Sequence, residues 1–314
     1  VGYQGTTMKK IAPSNLGGYP FLIDTASLYS GFVPSGLTAG VQGNTFLGIN
    51  AGSGGSNMTN CTYIGNYAGT GSTICTENTF VGKNAGYFNA NKNFNTYIGF
   101  DAGYLRGNRN VAVGHSAFDA FTATVDDSVA IGYQAGQAVT NAAGSVVFIG
   151  REAGKTTQSV GHVAVGYQAG YSNTTGDRNT NVGYKSGYQN TTNSFRTYLG
   201  YEAGNYNSGA GNTGIGYRAC NGYFSFGTGQ GTGANNTAVG YEALAALNGT
   251  GAASNTAVGR SALGGVITGG NNTGLGFTAG STITSGSNLT VLGYQAEPSS
   301  ATATNEITLG NASI

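Results

Sequence analysis

The apolar positions of this chain follow neither a helical stripe nor a long alternation. They come as triplets: Thr or Val, a variable residue, then Leu, Ile or Val, with Gly immediately after. One copy runs Asn44-Thr45-Phe46-Leu47-Gly48-Ile49-Asn50-Ala51-Gly52, and another Asn95-Thr96-Tyr97-Ile98-Gly99-Phe100-Asp101-Ala102-Gly103. The central glycines are Gly48, Gly65, Gly82, Gly99, Gly114, Gly132, Gly150, Gly166, Gly183, Gly200, Gly216, Gly240, Gly259, Gly276 and Gly293, with Gly310 marking a sixteenth, imperfect copy. Eight of the fifteen intervals are 17 residues, and the others lie between 15 and 19 except for the 24 from Gly216 to Gly240. Each copy predicts one short strand closed by a glycine turn.

The rows of the repeat predict environments. Residues two apart in a strand share a face. The residue before the central Gly is always aliphatic, and the one two before that is Thr in eleven copies and Val in four (Val111, Val129, Val147, Val163). Because Val replaces Thr, that face is expected to point inward, with Leu47, Ile64, Val81 and Ile98 nearly buried. The third residue after the Gly is Ala in fourteen copies and Ser186 in one. A row of methyls predicts close approach of another backbone and a surface on which chains associate. The two positions directly after the Gly hold nine of the 25 charges and are expected in water.

A short β-branched run, a glycine turn and a second short run every ~17 residues make a solenoid coil, stacking as parallel strands about 4.8 Å apart. The expected fold is an all-β parallel β-roll or β-solenoid of about fifteen to sixteen coils. So thin a coil encloses little core, and side-by-side association of chains is expected to supply more. The expected organisation is an irregular segment at 1–43 that begins mid-repeat, a repeat domain at 44–297 and a transition segment at 298–314.

Composition narrows the class. There are 57 Gly in 314 residues, 8 % charged residues, three Cys and a net charge of +1. Collagen needs Gly at every third position. A disulfide scaffold needs denser cysteine. Neutral charge leaves no footprint for nucleic acid, and without a run of 18 apolar residues no membrane insertion is expected.

The Asn-Thr-x-aliphatic-Gly-x-x-Ala unit resembles the repeat in the head domains of trimeric autotransporter adhesins, and the same unit occurs in phage tail fibres. The stretch Asn305-Glu306-Ile307-Thr308-Leu309-Gly310-Asn311-Ala312-Ser313-Ile314 is similar to the one that precedes the self-cleaving chaperone domain of many tail fibres. The resemblance implies a left-handed β-roll assembled as a parallel homotrimer. It implies a structural, adhesive fibre segment in an extracellular virion tail fibre, with other fibre or tail proteins at both ends and a host cell-surface glycan or protein as partner. The head of a bacterial trimeric surface adhesin, on the bacterial cell surface, is the alternative, and a glycan-cleaving tailspike is a weaker one. No enzyme activity and no cofactor are expected. The adhesin repeat is usually a little shorter than this one.

Several side chains are candidates for recognition. The 24-residue interval carries Tyr223, Phe224 and Phe226 among glycines, and Phe118 and Phe121 flank an acidic loop holding Asp119, Asp126 and Asp127. Either aromatic set can serve as an exposed contact or as packing. Phe46, Tyr63, Phe80 and Tyr97 form one aromatic row. Tyr133, Tyr167, Tyr184, Tyr201, Tyr217, Tyr241 and Tyr294 form a second. Both rows read either as stacks that shield strand edges or as faces offered to glycans or proteins. Lys185, Glu202, Arg218 and Glu242 occupy one row in consecutive coils and form a candidate charge ladder. His115 and His162 sit at variable positions and are expected on the surface. Cys61 should lie under Asn78, which leaves Cys75, in a loop, roughly 10 Å away if extended. Only a folded-back loop would allow a bridge.

Overall fold

The computed structural model describes residues 43–312 apart from 90, 105–106, 120–123, 140–143, 223–230 and 250, together with two short strands at 21–23 and 28–30. The chain is an all-β parallel solenoid of about 14 turns, with no helix among the described residues. It divides into two compact units, residues 1–146 and 147–314.

In the first unit Phe21–Ile23 pairs antiparallel with Leu28–Ser30, which adds in parallel to Thr45–Leu47. Strands Thr62–Ile64, Thr79–Val81, Thr96–Ile98, Val111–Val113 and Val129–Ile131 then stack in unbroken parallel register. A second two-stranded sheet, Asn57–Thr59 with Ile74–Thr76, lies in the same unit. The second unit stacks Val147–Ile149 through Thr290–Leu292 likewise, and Ile307–Leu309 adds a last strand. The repeat thus continues into the segment at 298–314.

The strand face assignment is reversed from the sequence expectation. The middle residue of each triplet points inward: Phe46, Tyr63, Phe80, Tyr97, Phe148, Tyr198 and Val291 are fully buried. Its neighbours face out. Leu47 is 41 % exposed, Ile98 40 %, Leu199 46 % and Leu275 50 %, while Ile64 and Val81 are half-buried. The reason is strand length. Three residues give one inward side chain, so the interior is lined by the centre alone. Thr and Val interchange because both are β-branched and suit a half-exposed pleated surface.

Size complementarity between two positions of a coil accounts for much of the variation at the centre. Where it holds a ring, the fourth residue after the central Gly is Gly. A Cβ added to Gly69 would meet the Tyr63 ring at 2.4 Å, and one added to Gly204 would meet Tyr198 at 2.2 Å. In four coils whose centre is small, that Gly is replaced by a bulkier side chain. Phe118 accompanies Ala112, Cys220 accompanies Gly214, Leu244 accompanies Ala238 and Leu263 accompanies Ala257, and all four large residues are buried. These coils are thus filled from one of two positions, whereas Ala130, Ala164 and Gly274 keep Gly136, Gly170 and Gly280, with His162 against Gly170 and Leu263 and Ile283 against Gly280.

The central glycines have φ between 120° and 141°, and a Cβ at Gly48 would stand 2.5 Å from the carbonyl oxygen of Gly65 in the next coil. No side chain fits that contact. The Ala row is buried within its own chain, where Gly52 N–H donates to the Ala68 carbonyl and Gly69 N–H to that of Ala85. This corrects the expectation that the Ala row is where chains meet. The second residue after each central Gly is left-handed, with φ from 49° to 59°, and most lie half-buried along the coil. In most coils the first residue after the Gly is the more exposed of the two, Tyr67 after Asn66 being an exception.

A buried asparagine ladder ties coil to coil. Asn95 N–H donates to Asn78 Oδ1 at 2.8 Å, Asn110 N–H to Asn95 Oδ1 at 2.9 Å, and Asn255 N–H to Asn236 Oδ1 at 2.9 Å. Each side-chain amide also donates within its own coil: Asn78 Nδ2 to the Lys92 carbonyl at 2.7 Å, and Asn272 Nδ2 to that of Gly286 at 2.8 Å. The leading Asn of the repeat thus satisfies backbone groups that the narrow coil buries.

Candidate functional surfaces

The turn after each strand decides what the solenoid displays. The central Gly, at positive φ, carries the next residue out of the wall, and the left-handed residue behind it returns the chain to the buried Ala. Side chains one coil apart in this first row then lie above one another. In the second unit Tyr167, Tyr184, Tyr201, Tyr217 and Tyr241 form an exposed or half-exposed stack with ring centroids 5.2, 4.9, 5.3 and 4.8 Å apart. Phe277 and Tyr294 repeat the contact at 5.3 Å. In the first unit Phe100, His115 and Tyr133 do so at 5.0 and 5.3 Å.

Cations flank the stack. Arg151 sits over Tyr167 at 5.8 Å and Arg260 over Tyr241 at 5.4 Å. Lys185 lies 5.5 Å from Tyr184 and 5.3 Å from Tyr188, a member of a parallel pair with Tyr171 at 5.1 Å. Tyr201 titrates above its ordinary value, through partial desolvation and then the Glu202 charge. The faces of the stacked rings are occupied by neighbouring rings and cations, so what the stack presents outward is ring edges and phenol groups. That suits hydrogen bonding to a partner better than ring-on-ring stacking.

The remaining candidates divide sharply. Phe46, Tyr63, Phe80 and Tyr97 stack at 5.0, 4.8 and 4.9 Å, but inside the coil, where no partner reaches them. Phe118 is likewise buried and is corrected from contact to packing, since it fills the space left by Ala112. Tyr223, Phe224, Phe226 and Phe121 lie outside the described residues. Among the charged row, Arg218 and Glu202 form an ion pair at 2.7 Å, and the Glu202 carboxylate holds the Arg218 guanidinium above its ordinary value. Lys185 lies against tyrosines instead. In the acidic loop Asp127 pairs with Arg109, which holds its carboxyl below the usual range, while Asp126 accepts from the Asn108 N–H at 2.6 Å.

His115 is exposed, but His162 is not on the surface. It occupies the asparagine row, fully buried, with Asn173 and Asn181 as hydrogen-bond partners at 3.2 and 2.9 Å. Burial, then the Arg196 charge, lowers its pKa to about 3. Arg196 holds the same row two coils on, donates to the Asn207 carbonyl at 3.1 Å and is lowered to about 10 by burial. Cys75 lies in a strand rather than a loop, and its Sγ is 3.7 Å from that of Cys61. Among the described residues no group of three His, Cys, Asp or Glu side chains could hold a metal ion.

The strand outer face is the second displayed surface, and sequence reading assigned it to the interior. Its Thr, Leu, Ile and Val side chains form a stripe along each unit, ending at Ile307 and Leu309, 74 % and 69 % exposed. No protein-family model matches the chain, and no curated protein matches it.

Proposed function

We propose that this chain is a structural, adhesive fibre segment, part of a phage tail fibre, that associates with two further copies of itself through the outer faces of its strands. The observation that carries this reading is the aliphatic stripe. A row of half-exposed Leu, Ile and Val repeated in coil after coil exceeds what a monomeric surface ordinarily leaves in water. The stripe runs along the stacking direction in each unit, so copies that meet on it lie side by side along their length. Three-fold closure follows from the resemblance of the repeat to trimeric adhesin heads. The tyrosine and cation stack then faces outward on each copy, and three copies of a weak contact gain avidity for a host-surface glycan or protein.

The reading is tested at two levels. Sedimentation at several concentrations should give a species of about three times 31.6 kDa. A stable monomer would remove the role of the stripe. Antibodies against the chain should then decorate the tails of virions; decoration of bacterial surfaces in its place would select the adhesin alternative.

A further inference from the structure

We propose that Cys61 and Cys75 form an intramolecular disulfide that replaces one clasp of the asparagine ladder with a covalent one. The ladder shows what position 61 does elsewhere. Asn44, Asn78, Asn255 and Asn272 each donate through Nδ2 to the carbonyl fourteen residues ahead: Met58, Lys92, Gly269 and Gly286. In the coil between the first two, the Asn is Cys61. The residue fourteen ahead of it is Cys75. The Cys61 thiol contacts the Cys75 carbonyl at 3.7 Å, a weak remnant of the amide clasp. The two Sγ atoms stand equally close, at 3.7 Å. Losing an amide clasp is a cost, and a second Cys at the clasp position, aimed at the first, offsets it if the two bond.

The surroundings fit. Cys75 is the centre of Ile74–Thr76 and faces inward beside Met58. Glu77, at φ 56°, turns the chain back toward Asn78 and so brings Cys75 over Cys61. The Tyr63 hydroxyl lies 3.0 Å from Cys75 Sγ. Hydrogen bonding from the Cys75 thiol lowers Cys61 to about 7 and raises Cys75, which makes Cys61 the thiolate that attacks first. Cys220 is far along the chain in the other unit, buried and pushed up to about 12 by burial.

The oxidant is a small-molecule disulfide such as oxidised glutathione, reacting when the coil opens or before it closes. The Cys61 thiolate attacks one glutathione sulfur and expels the other glutathione as thiolate, which takes up a proton. Cys75 then loses its proton, and its sulfur displaces the second glutathione from Cys61. The protein loses two electrons and two protons and the glutathione disulfide gains them, leaving two molecules of reduced glutathione.

The test uses the whole chain, produced once in the bacterial periplasm and once in the cytoplasm, each equilibrated in glutathione buffers from reduced to oxidised. Thiols are then alkylated in denaturant and the peptides mapped by mass. In oxidised buffer both preparations should carry one label per chain, on Cys220, with a peptide joining Cys61 to Cys75. The C220S variant should carry none. The melting temperature should rise on oxidation in the wild type and stay constant in the C61S/C75S double variant. Three labels per chain in oxidised buffer from both sources would overturn the proposal. So would a bridge to Cys220, or glutathione retained on Cys61.

Discussion

Filling the narrow interior is the issue at the residue scale, and the two positions that supply the ring in the coils of Phe46 and Phe118 make a sharp test. Phe118→Gly should empty the coil around Ala112 and cost about 3–5 kcal/mol in urea denaturation. Ala112→Phe alone should overpack it, costing about 1–3 kcal/mol. The double variant reproduces the Phe46 and Gly52 arrangement of the first regular coil and should recover at least half of the Phe118→Gly loss. Additive losses would mean that the two positions do not share one space. His162 gives a second residue-scale test. Its pKa is about 3 in the folded chain against an ordinary 6.5, so the unfolded chain binds a proton that the folded one refuses. Its contribution to stability is therefore intact above pH 6.5 and falls as the pH drops toward 3, with a slope approaching about 1.4 kcal/mol per pH unit. His162→Asn restores the ordinary residue of the row, and urea midpoints measured from pH 7 to pH 4 should fall less steeply in it than in the wild type.

Coil-to-coil ties operate at the element scale, and those that are buried should outweigh those that are exposed. Asn255→Ala orphans the Asn272 N–H and the Gly269 carbonyl, both otherwise bonded to that side chain. A loss of about 1–3 kcal/mol is expected, insensitive to salt. The Glu202–Arg218 pair is partly exposed, and Lys185 and Glu242 add no ion pair at salt-bridge distance among the described residues. Replacing all four by neutral residues should cost at most about 1 kcal/mol, and less at 1 M than at 0.01 M salt. An equal loss at both ionic strengths would assign these side chains a packing role instead. The tyrosine stack should contribute more per contact than the ion pair, about 0.5–1.5 kcal/mol, because its rings are parallel and closely spaced.

For the whole molecule, self-association through the strand faces is the property most exposed to test. Leu199→Lys and Leu275→Lys place a charge on the stripe without touching the core, since both side chains are about half exposed in a single copy. If copies meet there, each charge is buried on assembly, and sedimentation should shift toward the single chain while strand content by circular dichroism is unchanged. If the mass stays at the assembled value, the copies meet on another face.

The repeat unit alone determined the class of fold. A glycine at fixed distance from an aliphatic residue cannot recur at near-constant spacing without a turn recurring there, and short parallel strands at that period have nothing to pair with except one another. The places of the strands and of the glycine turns were legible as well, because every copy carries the same triplet and the same glycine. The inward face was not. Thr, Val and Leu on one side of a three-residue strand look like core, while a position occupied by Phe, Tyr, Ala, Gly or Asn looks like surface. Only the closed coil shows that its interior accepts one side chain of variable size and compensates from across the turn. The roles of Asn78, Asn95 and Asn255, the burial of His162 and the approach of Cys75 to Cys61 were hidden for the same reason. They depend on which groups of neighbouring coils the stacking brings within a few ångströms, and that distance is a property of the assembled wall, not of any single repeat.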